Sequence, residues 1–428
     1  MSKYRAFIFA DYHFDVDAKK LTLTYGFDDQ LQLQETYAFD FPFVDYDTAQ
    51  LDRALQHLFF MAGVSYFKTY VPPTIEVQAG QLDEQAAAFF SKTYQRGLGE
   101  FFYVNQLNPQ TPITFPSTND TPGSFTSPIE EGLLIGLGGG KDSLVTAELL
   151  RSEPRVATWS LNHQEQLQPL VARTGLPHLQ VQRTLDPLLL ELNNQDALNG
   201  HVPISAVFAC VGTVVGILAG YATAVVSNEH SANEPTLNYE GMDINHQYSK
   251  SLTFEKDYQQ LLGHAFGDSL HYFSFLRPLS ELRIAELFAQ TGFQKYHDVF
   301  SSCNRAFVHS SHSMSWCGTC PKCAFVFLVL TPFVDRQELE LLWGGKNLLL
   351  DPSLDSTYRQ LLGIEGDKPL ECVGEIKESR AAMRLASQIY PELQKYQFEL
   401  PEDYDYHTLA PHSMPSRYYD ILLAAIQP

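Results

Sequence analysis

The sequence predicts an α/β protein. Its core is a parallel sheet with helices on both faces, preceded by an α+β unit and carrying a four-cysteine metal module. Three observations predict this. From Glu130 onward, short apolar runs alternate with helix-like stretches, the pattern of strands joined by crossover helices. Ahead of that point the order differs: three strand-like runs come first, then two helical ones. Four of the six cysteines lie between Cys303 and Cys323.

Residues 1–105 form the predicted N-terminal α+β domain. "RAFIFADYHFD", "KLTLTYGFD" and "LQLQETYAF" read as strands joined by short turns. "DTAQLDRALQHLFFMAGVSYF" and "LDEQAAAFFSKTYQRGLGEFF" read as helices, each with an Asp near its start to accept from free backbone N–H groups. Residues 106–129, rich in Pro, Ser and Thr, read as a linker. The predicted catalytic domain spans 130–335, with strands at "GLLIGL", "VATWSLN", "HLQVQRT" and "TAVVSN" and helices at "DSLVTAELL" and "EQLQPLVARTG". The uncharged stretch His201–Ser227 has the length of a membrane span, and Gly212, Gly216 and Gly220 recur in it every four residues. A buried helix near Ile204–Tyr221 followed by a strand over Ala222–Ser227 explains the same hydrophobicity, so no membrane insertion is expected. Residues 336–428 read as a mostly helical extension, with helices near Glu338–Trp343 and Glu378–Ile389.

Composition narrows the function. The chain has 428 residues, of which 29 are Lys or Arg and 50 are Asp or Glu, for a formal charge of -21. Phosphate backbones select basic surfaces, so nucleic acid is not expected as a partner. The N-terminus shows no signal-peptide pattern, and six cysteines in so long a chain make no disulfide scaffold. A cytoplasmic, reducing location is expected.

The stretch "LLIGLGGGKDSLVTAELL", from Leu133 to Leu150, runs an apolar strand through glycines into a helix. Backbone that approaches closely, followed by a helix N-terminus, suits a phosphate. A Walker loop would need Gly where Ile135 stands and Ser or Thr where Asp142 stands, and the spacing fits no Gly-x-Gly-x-x-Gly fingerprint. The plain alternative is a Gly-rich turn with Asp142 as a helix cap. "GGGKDS" resembles the PP-loop Ser-Gly-Gly-x-Asp-Ser of ATP pyrophosphatases, with Gly138 in place of the first Ser. That resemblance implies an adenine nucleotide alpha hydrolase-like core that cleaves ATP between its α and β phosphates. Gly138, Gly139, Gly140, Lys141 and Ser143 would hold phosphate, and Asp142 would help hold Mg²⁺ or order the loop. Asn162, just past the second core strand, is a further candidate for nucleotide contact.

Cys303, Cys317, Cys320 and Cys323 contain interlocking C-x-x-C steps. Four thiolates close a structural Zn²⁺ site, and they also suit an iron–sulfur cluster. Their spacing resembles the zinc site of 7-cyano-7-deazaguanine synthase, another PP-loop enzyme. The polar block Ser227–Glu255 follows a buried strand, where open α/β sheets place ligands.

The strand entering "GGGKDS", the block "SNEHSANEPT" with "NHQYSKS", the pair Arg277-Pro278 and "WCGTCPKCAF" together resemble the UDP-N-acetylmuramoyl-L-alanyl-L-glutamate epimerase family of bacterial cell-wall synthesis. The resemblance implies that ATP activates the α-carboxylate of the terminal L-Glu as an adenylate. The adjacent C–H then loses its proton, regains one on the opposite face, and D-Glu, AMP and diphosphate are released. The pathway partner would be a ligase that adds L-Glu. Candidates for the proton transfer are His230, His246, Tyr248, Lys250 and Cys372. Candidates for substrate recognition are Asn228, Glu229, Asn233, Glu234, Asn245, Arg277 and Arg380. Alternatives that share the loop are a deazaguanine-type nitrile synthase, another carboxylate-adenylating ligase, a tRNA-thiolating enzyme and a non-catalytic nucleotide sensor.

Overall fold

The computed structural model describes residues 2–118, 125, 129–195, 197–307 and 314–427. Its strands are β1 (Ala6–Asp15), β2 (Lys20–Phe27), β3 (Leu31–Asp40), β4 (Thr74–Val77), β5 (Leu133–Gly136), β6 (Val156–Leu161), β7 (His178–Thr184), β8 (Thr223–Val226), β9 (Leu237–Tyr239), β10 (Met242–Ile244) and β11 (His271–Ser274). Nine of them form one sheet in the order β11-β8-β5-β6-β7-β3-β2-β1-β4, and β9 and β10 make a separate hairpin.

The expected parallel core is the run β11-β8-β5-β6-β7. Side chains of β5 alternate between two hydrophobic clusters. Leu134 joins one, and Leu133 and Ile135 join the other, so both faces of the sheet are covered. Burial on both faces is why the central strand β5, Leu133–Gly136, carries no polar side chain. The helices Thr48–Ala62, Ile204–Ala219 and Leu252–Phe266 contribute to the first cluster. The helices Lys141–Leu150, Glu281–Thr291 and Pro321–Leu330 contribute to the second. The chain leaves β5 toward β6 on one side and returns to β8 on the other. The strand order therefore reverses between β5 and β8, and the crevice outside the carboxyl ends of strands at such a switch point is where these sheets bind ligands.

Residues 1–105 differ from the separate unit expected of them: β1, β2 and β3 extend the same sheet. β3 pairs antiparallel with β7, from Thr36 opposite Thr184 to Asp40 opposite Gln180. At this seam the guanidinium of Arg183 donates to buried Glu35 at 3.0 and 2.9 Å and to Ser65 Oγ at 2.9 Å. The helix Thr48–Ala62 packs on Ile204–Ala219. The physical reason is edge satisfaction: β3 and β7 each carry unpaired backbone groups that the other strand completes.

The expected linker is also packed in its described part. The N–H groups of Ile113 and Phe115 donate to Gln95 and Ser91 on the helix Glu84–Gly97, and both side chains are buried. Linker residues 119–124 and 126–128 lie outside the described residues.

His201–Ser227 resolves into the helix Ile204–Ala219 and β8. Among the described residues, no helix is long and apolar enough to cross a membrane. Gly212 permits close approach of this helix to the sheet, since a Cβ there would lie 3.1 Å from Trp159. In the C-terminal region helices form over Arg336–Leu341 and Ile376–Ile389, within two residues of the expected positions.

Candidate active site

β5 runs through Gly138–Gly140 into the helix Lys141–Leu150, the strand–turn–helix that the glycines predict. Gly139 has φ +88°, and a Cβ there would lie 2.9 Å from Met314 Sδ and 3.0 Å from Phe307. Only glycine fits both the backbone and the space. Gly138 has no neighbour within 4 Å of its missing Cβ, so its backbone faces open space. Gly140 caps the helix without a side chain, which leaves the first N–H groups free of side-chain caps. Ser143 Oγ donates to the Gly140 carbonyl at 3.1 Å.

A charged centre lies behind the loop. The ammonium of buried Lys141 sits between Asp142 and Glu281, and those two carboxylates raise its pKa against the opposing effect of burial. Glu281 is buried at the start of the helix Glu281–Thr291. Lys141 and Lys322 lower its pKa against the same desolvation. Burial and nearby Glu281 push Glu229 up to about 7. Oxygens of Asp142, Glu229 and Glu281 lie within 4.8 Å of one another, a donor set of the kind a hard cation takes.

Loops from distant parts of the chain bring three of the five proton-transfer candidates together. Lys250 Nζ donates to Cys372 Sγ at 3.2 Å. The imidazole of His246 meets Glu100 through Nδ1 and lies near enough to Cys372 that each favours the charged form of the other. Burial alone would raise the Cys372 thiol, but Lys250, His246 and Lys322 pull it down to about 6. Burial alone would lower His246, but Cys372 and Glu100 raise it to about 9. The ring of His201 lies tilted against that of His246 with centroids 4.3 Å apart; burial and that neighbour push it down to about 4.

The other two candidates lie elsewhere. Tyr248 is buried against Phe254 in the first hydrophobic cluster. Half-exposed His230 faces Glu375 at 3.5 Å.

Several expected recognition residues serve the fold of the polar block. Asn233 Oδ1 accepts from Leu252 N–H at 2.7 Å, and Asn245 bridges the Ala232 carbonyl and the Gln247 N–H. The Asn228 carbonyl accepts from Ser274 Oγ at 2.6 Å. Glu234 pairs with Lys368. Arg277 is fully buried. It donates to Glu255 at 3.0 Å, to the Glu229 carbonyl at 2.6 Å and to the Lys250 carbonyl. It thus fixes the backbone at two site residues instead of facing the crevice. Arg380 binds the Leu362 and Glu399 carbonyls, both at 2.8 Å, within the C-terminal region. Asn162 spends its amide oxygen on the Arg183 N–H at 2.6 Å, tying β6 to β7.

The four cysteine sulfurs also converge within 4.8 Å of one another. Cys303–Cys320 is 4.0 Å and Cys317–Cys323 is 3.7 Å. Tetrahedral Zn–S bonds of about 2.3 Å require S···S of about 3.8 Å, so the cluster has the size of a zinc site. Backbone N–H groups of Cys317, Thr319 and Cys323 point at its sulfurs from 3.4 Å. Residues 308–313 of the cysteine segment lie outside the described residues. The module buttresses the crevice: the Ser301 N–H donates to the Gly139 carbonyl at 3.0 Å. Lys322, between two cysteines, reaches the Cys372 carbonyl and lies 3.8 Å from Glu281. Sequence reasoning missed Glu100, His201, Glu281 and Lys322. Only Lys322 carried a local signal, as the charged residue inside "CPKC".

Comparison with known proteins gives one consistent family. The MurL N-terminal domain matches residues 1–275, and the MurL C-terminal domain matches residues 299–397. A Salinispora tropica protein named UDP-N-acetyl-alpha-D-muramoyl-L-alanyl-L-glutamate epimerase is 39% identical over 396 residues, covering 89% of this chain and 84% of the relative. A Xanthomonas oryzae pv. oryzae protein of the same name is 39% identical over 381 residues, covering 86% and 83%. A third of that name, from a Micromonospora species, is 37% identical over 398 residues, covering 90% and 87%.

Proposed function

The chain belongs to the MurL family, and from that premise we propose that it epimerises the terminal L-Glu of UDP-N-acetylmuramoyl-L-Ala-L-Glu to D-Glu at the expense of ATP. One observation carries the proposal. The similarity to the named epimerases spans both halves of the chain, and both halves build the crevice: Gly138–Gly140 and His246 come from one matched region, Cys372 from the other.

ATP supplies activation of the α-carboxylate as an adenylate, which makes the neighbouring C–H more acidic than beside a free carboxylate. The open backbone at Gly138, the uncapped helix N-terminus at Gly140 and Ser143 suit the departing diphosphate. Asp142, Glu229 and Glu281 would hold Mg²⁺ against it. The four cysteines would hold a structural Zn²⁺ that shapes the loop from behind through Ser301, Phe307 and Met314. Product formation in a reducing cytoplasm, supplied by a ligase that adds L-Glu, completes the proposal.

The test is incubation with the UDP-linked dipeptide, ATP and MgCl₂, followed by chiral analysis of the released glutamate and assay of AMP and diphosphate. D-Glu formed together with AMP and diphosphate is expected. AMP release with the L configuration retained would refute it. A nitrile formed from a deazaguanine carboxylate and ammonia would favour the alternative synthase.

A further inference from the structure

We propose that Cys372 is the base that removes the glutamate α-proton, held as a thiolate by Lys250 and by a His246–Glu100 pair behind it. This rests on the epimerase function proposed above and assigns one half of its chemistry to a named atom.

The arrangement is that of an activated nucleophile or base: a sulfur that accepts from a lysine ammonium, an imidazole near it, and a carboxylate on Nδ1 of that imidazole. The three residues come from three separate parts of the chain. Glu100 ends the N-terminal region, His246 follows the β9–β10 hairpin, and Cys372 lies in a C-terminal loop. The fold assembles them although no local structural need joins them. A lysine then makes the site more cationic. Lys250 Nζ lies 3.2 Å from Sγ, and Arg277, itself fully buried, grips the Lys250 carbonyl. From the cysteine module, Lys322 binds the Cys372 carbonyl. The facing acids are Glu229, beyond Lys250, and neighbouring Glu371; neither hydrogen-bonds the sulfur among the described contacts. The cations next to Sγ therefore outweigh the anions, and the sulfur carries negative charge near neutral pH. It remains partly exposed, as a group that meets substrate must be. It also adjoins the ATP-side cluster, since Asp142 and Glu229 both act on Lys250.

The step balances within the activated substrate. The α C–H bond breaks and its electron pair moves into the acyl carbonyl as an enolate. The proton forms an S–H bond on Cys372. Lys250 donates to the sulfur, His246 lies near it and Glu100 holds His246; each acts through the sulfur, so they are positioning residues. Protonation of the opposite face is a second group's task and a separate step.

The experiment compares wild type with Cys372→Ser and Glu100→Gln in D₂O with ATP, MgCl₂ and the UDP-linked dipeptide. It follows AMP release, α-deuterium and configuration. Cys372→Ser should keep AMP release while α-exchange and inversion fall by about 100-fold or more, the scale of a lost general base. Glu100→Gln leaves the sulfur in place. It should shift the pH at which Cys372 is half-alkylated by iodoacetamide, mapped by peptide mass, upward by about one unit or more, together with the acid limb of the exchange rate. A merely structural role would move neither.

Exchange by Cys372→Ser at the wild-type rate would overturn the assignment. So would an acyl thioester on Cys372 in acid-quenched wild type, because the sulfur would then be a nucleophile. Loss of AMP release together with exchange in folded Cys372→Ser would overturn it too, since the residue would then serve activation. Wild type that releases no AMP and shows no exchange refutes the epimerase function itself, a result distinguishable from all of these.

Discussion

Arg277→Met separates a structural arginine from a substrate ligand. The sequence makes Arg277 a candidate for substrate carboxylates or phosphates, whereas the structure buries it completely against Glu255, which is itself 1% exposed. Removing the guanidinium leaves Glu255 Oε2 without its partner, while Oε1 keeps the Ser274 N–H at 3.1 Å and Ser413 Oγ at 2.8 Å. Breaking one side of a buried ion pair costs about 3–5 kcal/mol. The Glu229 and Lys250 carbonyls also lose donors, at about 1 kcal/mol each where water cannot reach them. For a chain of this length a loss of that size lowers the melting temperature by about 5–10 °C. Thermal unfolding followed by circular dichroism reads it directly. Adding Glu255→Gln removes the stranded charge and keeps an acceptor for Ser274 and Ser413, so the double variant should recover about 2–3 kcal/mol of the loss. Activity should fall in kcat more than in KM, because the carbonyls that Arg277 holds belong to site residues. An unchanged melting temperature with a raised KM would refute this reasoning and return Arg277 to the crevice.

Three further outcomes follow from the same contacts. Elemental analysis of the wild type is expected to find one zinc per chain, and Cys317→Ser should lower both that content and the melting temperature, because structural zinc binding is coupled to folding; iron with acid-labile sulfide would identify a cluster instead. Gly138→Ala should melt like wild type, since its Cβ meets open space. Gly139→Val should melt lower, given φ +88° and the Met314 and Phe307 contacts, and equal melting of the two would contradict the loop geometry. His57 is buried and pushed down to about 3 by desolvation, so it stays neutral in the folded chain while the unfolded chain binds a proton below its ordinary value of 6.5. Its contribution is therefore lost as pH falls from about 6.5 toward 3, reaching about 2 kcal/mol at pH 5. His57→Phe should flatten the acid side of the melting curve, and a curve parallel to wild type would exclude His57 as the source.

Local patterns were legible and long-range joins were not. The Gly138–Gly140 turn, the cysteine cluster and the helix-then-strand division of His201–Ser227 each follow from neighbouring residues, and the structure forms all three. The seam between β3 and β7 did not show. It joins Glu35 to Arg183 across more than a hundred residues, and an amphipathic strand does not announce its partner. The same holds for the site. His246, Lys250 and Cys372 could be named for their chemistry, but not ranked, until the fold placed two of them on the third. Glu100 sits in the first turn of a short helix and Glu281 at an ordinary helix start, where acidic residues are common for reasons unrelated to catalysis. Buried Arg277 misled in the opposite direction, because an arginine just past a strand's carboxyl end reads as facing a ligand until its buried partners are seen.

The central claim is that ATP activation precedes proton transfer at the glutamate α-carbon. Its most direct measurement is deuterium at that carbon after incubation of the UDP-linked dipeptide in D₂O with MgCl₂, with and without ATP. The account predicts deuterium in the D-configured product only when ATP is present, and none with an ATP analogue that cannot be cleaved between the α and β phosphates. Exchange without ATP, or AMP release with the α-proton and L configuration both retained, would contradict it.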